Sequence, residues 1–182
     1  MASLVLKMSI SLDGYIAPAD GSSGWEATGR SPDGAEWVSD TLSNARAHLV
    51  GAATYTRWAD FWPRQSGPIA AAMNEIPKVV FSKTLEHADW AESRIMAGDL
   101  GEDVARLKAE DGAYLLAHGG AAFAQALSRA RLIDEYRLVI EPAALGDGLP
   151  MFRDLGGRLA LELVDARTYS TGTAVHVYRP RT

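Results

Sequence analysis

The chain contains no cysteine. That absence excludes a disulfide framework, a thiolate nucleophile and any metal site built on sulfur ligands, and it fits a reducing compartment. An excess of positive charge is also missing: 18 lysines and arginines face 23 aspartates and glutamates, for a formal net charge of −5. The cations are scattered, whereas a protein that tracks a phosphate backbone needs a basic stripe, so no nucleic-acid partner is expected. Long apolar runs are lacking as well. The first residues begin apolar, but Lys7 and Ser9 interrupt them, and nothing downstream approaches the ~20 residues that cross a bilayer. The expectation is a cytoplasmic protein with neither leader nor membrane anchor. No internal repeat and no low-complexity segment is found.

What is present is the composition of an ordinary globular protein, 47% hydrophobic and 23% charged over 182 residues. That length predicts one core and a single domain over residues 1–182. Strands are predicted over 4–10, 48–51, 78–81, 93–97, 114–117 and 135–140. Helical patterns fall over 33–47, from Thr54 onward, and over 69–75, 101–110 and 121–130. Residues 18–32, rich in Gly, Ser and Pro, read as a loop, as do 141–152. Two alternating segments, 159–168 and 173–179, meet at Ser170-Thr171-Gly172 and predict a closing hairpin. Strands alternating with helices give an α/β fold with a covered sheet. The hairpin makes that sheet mixed, with about eight strands on the period-2 pattern.

Three strand ends share small residues: Gly51-Ala52-Ala53-Thr54, Ser82-Lys83-Thr84, and His118-Gly119-Gly120-Ala121-Ala122. In an open α/β sheet the carboxyl ends of the strands form the ligand crevice. Small residues there let a ligand approach the backbone, and helix N-termini hold phosphate. Taken singly each is read equally well as a tight turn; together they predict a dinucleotide site. Ser82-Lys83-Thr84 offers two hydroxyls and a cation, the chemistry a ribose 2′-phosphate needs, and so favours NADPH over NADH.

Other candidates are weaker. Asp13, in Ser11-Leu12-Asp13-Gly14, either bonds a polar substrate or closes the turn, and the turn is the better reading. His48, His87, His118 and His176 lack metal-ligand spacing; His118, beside the diglycine, could touch a phosphate, and the others read as structural. No serine has the partners of a hydrolytic triad. Trp58, Phe61 and Trp62 pack a core or line a pocket for a flat heterocycle, core packing being the simpler reading.

Read as a set, these motifs resemble a known family. Lys7-Met8-Ser9-Ile10-Ser11-Leu12-Asp13-Gly14-Tyr15-Ile16-Ala17 is similar to the opening strand of the C-terminal reductase domain of bifunctional riboflavin-biosynthesis deaminase-reductases, relatives of dihydrofolate reductase. His118-Gly119-Gly120-Ala121, the run from Leu132 to Leu138 and the run from Pro142 to Phe152 resemble the same family. The resemblance implies a three-layer dihydrofolate-reductase-like fold in a stand-alone member, NADPH as hydride donor, and a substrate of pyrimidine or pterin type. That substrate would be like 5-amino-6-(5-phosphoribosylamino)uracil or dihydrofolate. It also implies that Ile10, Trp25, Gly51, Thr54, Ser82, Lys83, Thr84, Gly119, Gly120, Ala121 and Ala122 line the cofactor, with Asp13 and Gly146 on the substrate side. Ala52 departs from the pattern, standing where relatives carry an arginine, so phosphate affinity would rest on Lys83, Arg57 and backbone N–H groups. Relatives pair as homodimers, and the same is expected here. The alternative reading is a non-catalytic nucleotide-binding or structural homodimeric module.

Overall fold

The computed structural model describes residues 1–22, 24–26 and 31–181, so part of the loop expected over 18–32 lies outside the described residues. Ten strands and five α-helices are described, in the order β1 (Leu4–Ile10), β2 (Tyr15–Ala17), α1 (Pro32–Ser43), β3 (Ala47–Gly51) and α2 (Ala52–Phe61). There follow α3 (Pro68–Glu75), β4 (Lys78–Phe81), β5 (Ser93–Met96), α4 (Leu100–Ala109), β6 (Leu115–His118) and α5 (Ala121–Arg129). The chain closes with β7 (Glu135–Ile140), β8 (Leu149–Pro150), β9 (Leu161–Thr168) and β10 (Ala174–Pro180). Eight strands form one sheet in the order β5-β4-β3-β6-β1-β7-β10-β9. The first six of these are parallel, and β10 and β9 run antiparallel to their neighbours. This is the mixed α/β sheet with a closing hairpin that the strand pattern predicts.

The central strands are apolar along nearly their whole length because both sheet faces are covered. Every residue of β6 is buried, and β3 is buried up to its last residue. One face packs a core around Leu4, Leu6, Leu49, Val79, Leu115 and Leu127. The other packs Val5, Val50, Val80 and Leu116 against Tyr55, Met73 and Trp90. The hairpin strand β9, by contrast, is an edge and is mostly exposed. Helix starts follow local chemistry. Ser31 caps α1, accepting from the Gly34 N–H at 3.2 Å, with Pro32 in the first turn, where a missing N–H is harmless. Asp99 caps α4 by accepting from the Gly101 and Glu102 N–H groups.

Two features depart from the sequence reading. Helix α1 ends at Ser43, not near residue 47, because Asn44 leaves the helical region and the chain must turn into β3. Tyr15–Ala17, to which the sequence pattern assigned no element, and Leu149–Pro150, read as part of a loop, pair as a second, two-stranded sheet. Strands of three and two residues carry no measurable alternation, and their partners lie over a hundred residues apart, so no local signal announces them. This small sheet matters for the site because it draws the turn after β1 against the loop after β7.

Candidate active site

Because β1, β3, β4, β6 and β7 are parallel, their carboxyl ends share one edge, and the segments following them gather there. Helix α2 starts directly after Gly51, and α5 directly after Gly119-Gly120; neither start has a side-chain cap. Their first N–H groups therefore remain available to a ligand. Gly119 and Gly120 have φ of +75° and +79°, a region that disfavours any side chain. A Cβ on Gly119 would lie 2.6 Å from the Trp58 ring, and one on Gly120 would lie 2.6 Å from the Thr54 hydroxyl. The diglycine thus brings backbone against the first turns of two helices, where no bulkier residue fits. Thr54 is buried between them.

A cavity of about 390 Å³ opens beside this junction. Lys7 and Ser9 of β1 and His118 of β6 line it on one side, and the rings of Trp58, Phe61 and Trp62 on another. Arg57 and Glu26 stand at it, as do Thr54, Gly119, Gly120 and Ala121. The three aromatic rings are those the sequence reading left between core and pocket; Trp58 and Trp62 do both, since their other contacts reach the Val5–Val50 core. A wider, more open hollow of about 620 Å³ lies between α2 and residues 85–91, but none of the expected site residues lines it. The smaller cavity is where strand ends, helix N-termini and polar side chains converge.

None of the other expected residues, Ile10, Trp25, Gly51, Ser82, Lys83, Thr84, Ala122, Asp13 and Gly146, lines this cavity. Ile10 ends β1, and its carbonyl accepts from the Glu141 N–H at 2.8 Å. Trp25 is half-buried, with its indole N–H unpartnered among the described residues. Gly51 faces Phe123, to which a Cβ would lie at 3.2 Å, and Ala122 sits in the first turn of α5. Ser82-Lys83-Thr84 follows β4, two strands from β6. The Ser82 hydroxyl accepts from the Thr84 and Leu85 N–H groups at 3.2 and 2.9 Å, fixing the turn and leaving Lys83 and Thr84 exposed. Asp13 and Gly146 meet each other: the carboxylate accepts from the Gly146 N–H at 2.7 Å and the Leu145 N–H at 3.1 Å. The Ser11 hydroxyl and then the Gly146 N–H hold the Asp13 pKa down at about 2.

Sequence reasoning singled out neither Lys7 nor the pairing of His48 with His118. Lys7 and His118 are register partners on adjacent strands. Burial pushes the Lys7 ammonium below its ordinary pKa, opposed by Glu26 and Glu141. His118 bonds His48 through ring nitrogens 3.0 Å apart, and Trp58 lies 4.8 Å from the His118 ring. Burial depresses His48 to about 4; His118 falls well below its ordinary range through burial, then His48, then Lys7. Both histidines are therefore neutral near pH 7. The alternation of β1 and the adjacency of β6 would have exposed the Lys7–His118 pair, had the strand order been known. Among the described residues no group of His, Asp and Glu could hold a metal ion, and no helix is long and apolar enough to cross a membrane.

The mixed eight-stranded sheet with its closing hairpin has the dihydrofolate-reductase-like fold, as superposition shows. Dihydrofolate reductase from Enterococcus faecalis, solved with NADP(H), superposes with a TM-score of 0.64 at 12% identity, over 99% of this chain and 97% of that one. A Shewanella sp. PV-4 protein assigned to riboflavin biosynthesis superposes at 0.79 with 21% identity, covering 99% of both chains. A deaminase/5-amino-6-(5-phosphoribosylamino)uracil reductase from Thermotoga maritima gives 0.70 at 18% identity over 99% of this chain, which corresponds to 57% of that longer one. Within this class the chain belongs to the RibD C-terminal domain family, matched over residues 2–175. In sequence it is 29% identical over 180 residues to the uncharacterized protein YyaP of Bacillus subtilis (strain 168), covering 96% of this chain and 93% of that protein.

Proposed function

We propose that the chain is an NADPH-dependent reductase that delivers hydride to a small flat heterocycle of pyrimidine or pterin type. The observation that carries this reading is the continuity of the aromatic-walled cavity with the diglycine start of α5. Close packing of Gly119 and Gly120 on Trp58 and Thr54 leaves the backbone at the uncapped start of α5 lining the cavity, where its N–H groups suit a pyrophosphate. In this reading Gly51, Thr54, Gly119, Gly120, Ala121 and Ala122 hold the pyrophosphate side. Ser82, Lys83 and Thr84 meet the 2′-phosphate, and Ile10 and Trp25 flank the nicotinamide. Asp13 tethers the Gly146 loop, and the two border the substrate side.

Bound NADPH supplies the hydride; the chain's own residues align, cover and dry the acceptor, which is what such a transfer requires. Trp58, Phe61 and Trp62 exclude water from one face of the acceptor. The chain works as one domain and, in the same reading, as a cytoplasmic homodimer. Light scattering at micromolar concentration tests the dimer, and a monomer mass removes it.

The cofactor reading is tested by calorimetric titration of NADPH and NADH into the protein and its Lys83→Ala variant. An exposed charge-assisted contact to phosphate is worth about 1.5 kcal/mol, so NADPH is expected to bind about tenfold tighter, with most of that preference lost in the variant. Equal affinities in the unmutated chain would overturn the placement of the phosphate. Binding without NADPH turnover on pyrimidines or pterins would instead favour the non-catalytic nucleotide module.

A further inference from the structure

Two of the aromatic side chains that wall the cavity, Trp58 and Phe61, stand on α2; Trp62 stands just past its end, at the start of a 3₁₀ turn over Trp62–Arg64. A ring carried beyond a helix is placed only as well as the turn that carries it. The Gln65 N–H closes that turn on the Trp62 carbonyl at 3.0 Å, which fixes its shape but not its place against the rest of the fold. The place is set from α3. Asn74, in the last turn of α3, donates from Nδ2 to the same Trp62 carbonyl at 3.0 Å, and its Oδ1 accepts from the Trp90 indole N–H at 2.9 Å. A carbonyl can only accept and an indole N–H can only donate, so the amide has one orientation and both its ends are engaged. These partners are themselves held. The Trp90 backbone N–H donates to the Tyr55 hydroxyl at 3.0 Å, and Tyr55 lies on α2 one turn before Trp58. The fully buried Lys78 donates from Nζ to the Asn74 carbonyl at 2.6 Å and lies 4.6 Å from the centre of the Trp90 ring. Asn74 belongs to the lining of the wider outer hollow, not of the cavity.

We infer that Asn74 is a positioning residue for the acceptor heterocycle: from outside the cavity its side-chain amide ties the Trp62 turn to Trp90, and through Trp90 to Tyr55, and so sets the Trp62 ring relative to Trp58 in the wall. The inference deepens the proposed reductase reading and rests on the cavity being its substrate side. A wall of rings orients a flat acceptor only while each ring stays within about 0.5 Å of its productive placement, which takes a second layer of hydrogen bonds behind it. Asn74 is that layer for the one ring that α2 does not carry. Its donor and its acceptor do different work. An aspartate there would still accept from Trp90 but could no longer donate to Trp62, so one substitution separates the two halves of the clasp.

The test pairs a ligand-free signal with a binding split. In protein labelled with 5-fluorotryptophan, the Trp62 fluorine resonance, assigned by its loss in Trp62→Ala, should shift and broaden in Asn74→Asp. The resonance of Trp37, on α1 beside the hairpin strands, should stay in place. Asn74→Ala, which removes the amide without adding charge, should act in the same way. Lumazine, a flat two-ring probe, is then titrated by fluorescence into the same proteins. Both Asn74 variants should bind it about tenfold more weakly, the loss of one well-placed aromatic contact, with NADPH affinity unchanged. In the Trp62→Ala background Asn74→Asp should have no further effect, because Asn74 acts through that ring. Leu49→Ala, which weakens the core on the opposite sheet face, should move neither the Trp62 resonance nor lumazine affinity. A Trp62 resonance that stays in place, unchanged lumazine affinity in the Asn74 variants, a full Asn74 effect without the Trp62 ring, or no lumazine binding by the unmutated chain overturns the inference. NADPH titration separates the two readings. NADPH binding with an unmoved wall removes only the positioning role. A moved wall and weakened lumazine without NADPH binding remove the reductase and leave Asn74 in its role.

Discussion

Acidification should unfold this protein through its buried histidine pair before its carboxylates respond. His48 is fully buried, and its pKa in the folded chain is about 4 against an ordinary 6.5. Burial is the main cause; the bond to the Leu42 carbonyl opposes it, and the nearby Lys78 ammonium adds to it. Between those two values the unfolded chain binds the proton and the folded chain does not, so stability is full above pH 6.5 and falls as the pH drops toward 4. The cost is about 2 kcal/mol by pH 5 and about 3 kcal/mol once protonation of the unfolded histidine is complete. His118, also pushed below its ordinary range, adds in the same direction. Asp13 does not confuse the window, because its depressed pKa of about 2 places its loss of stability below pH 4. Urea unfolding at low protein concentration, repeated at half-unit steps from pH 7.5 to 5, reads the effect. With a slope of about 2 kcal/mol per molar, the midpoint should fall by about 1 M urea or more. The double variant His48→Gln/His118→Gln should lose this acid limb while unfolding with the same slope. A midpoint that stays level between pH 7 and 5 in the unmutated protein would refute the buried neutral pair.

Three further outcomes follow from packing and backbone geometry. Gly120→Val places a branched side chain at φ +79° and against the Thr54 hydroxyl, so it should weaken NADPH and NADH alike; calorimetry showing wild-type affinity for either would contradict the placement of the pyrophosphate. Asp13→Ala removes the acceptor for the Leu145 and Gly146 N–H groups, and amide exchange at these two positions should quicken; unchanged protection would mean the small β2–β8 sheet alone holds the loop. Leu49→Ala empties a fully buried position on a central strand and should cost about 2–5 kcal/mol in urea unfolding, with a loss under about 1 kcal/mol arguing that the core collapses around it.

Much of the architecture is written in local pattern. The short apolar runs Leu4-Val5-Leu6 and Leu115-Leu116-Ala117 have the length of buried strands, and the segments flanking Ser170-Thr171-Gly172 carry the alternation of a hairpin. Glycine and proline mark where those strands stop. Gly119-Gly120 is legible as a close backbone approach because few other residues adopt positive φ twice in succession. Those signals are short-range, so one sequence suffices to read them. The pairing of Lys7 with His118 is of another kind. It exists only because β1 inserts beside β6, over a hundred residues later in the chain, and because both side chains fall on the same sheet face. The same holds for the His48–His118 bond, for the tether from Asp13 to Gly146 and for the β2–β8 ribbon. Strand order is settled by how helices cover the sheet, a sum over many weak contacts that no local window contains. The sequence by itself therefore determined the elements and the close approach at the diglycine, whereas only the tertiary structure decided which polar groups share the cavity.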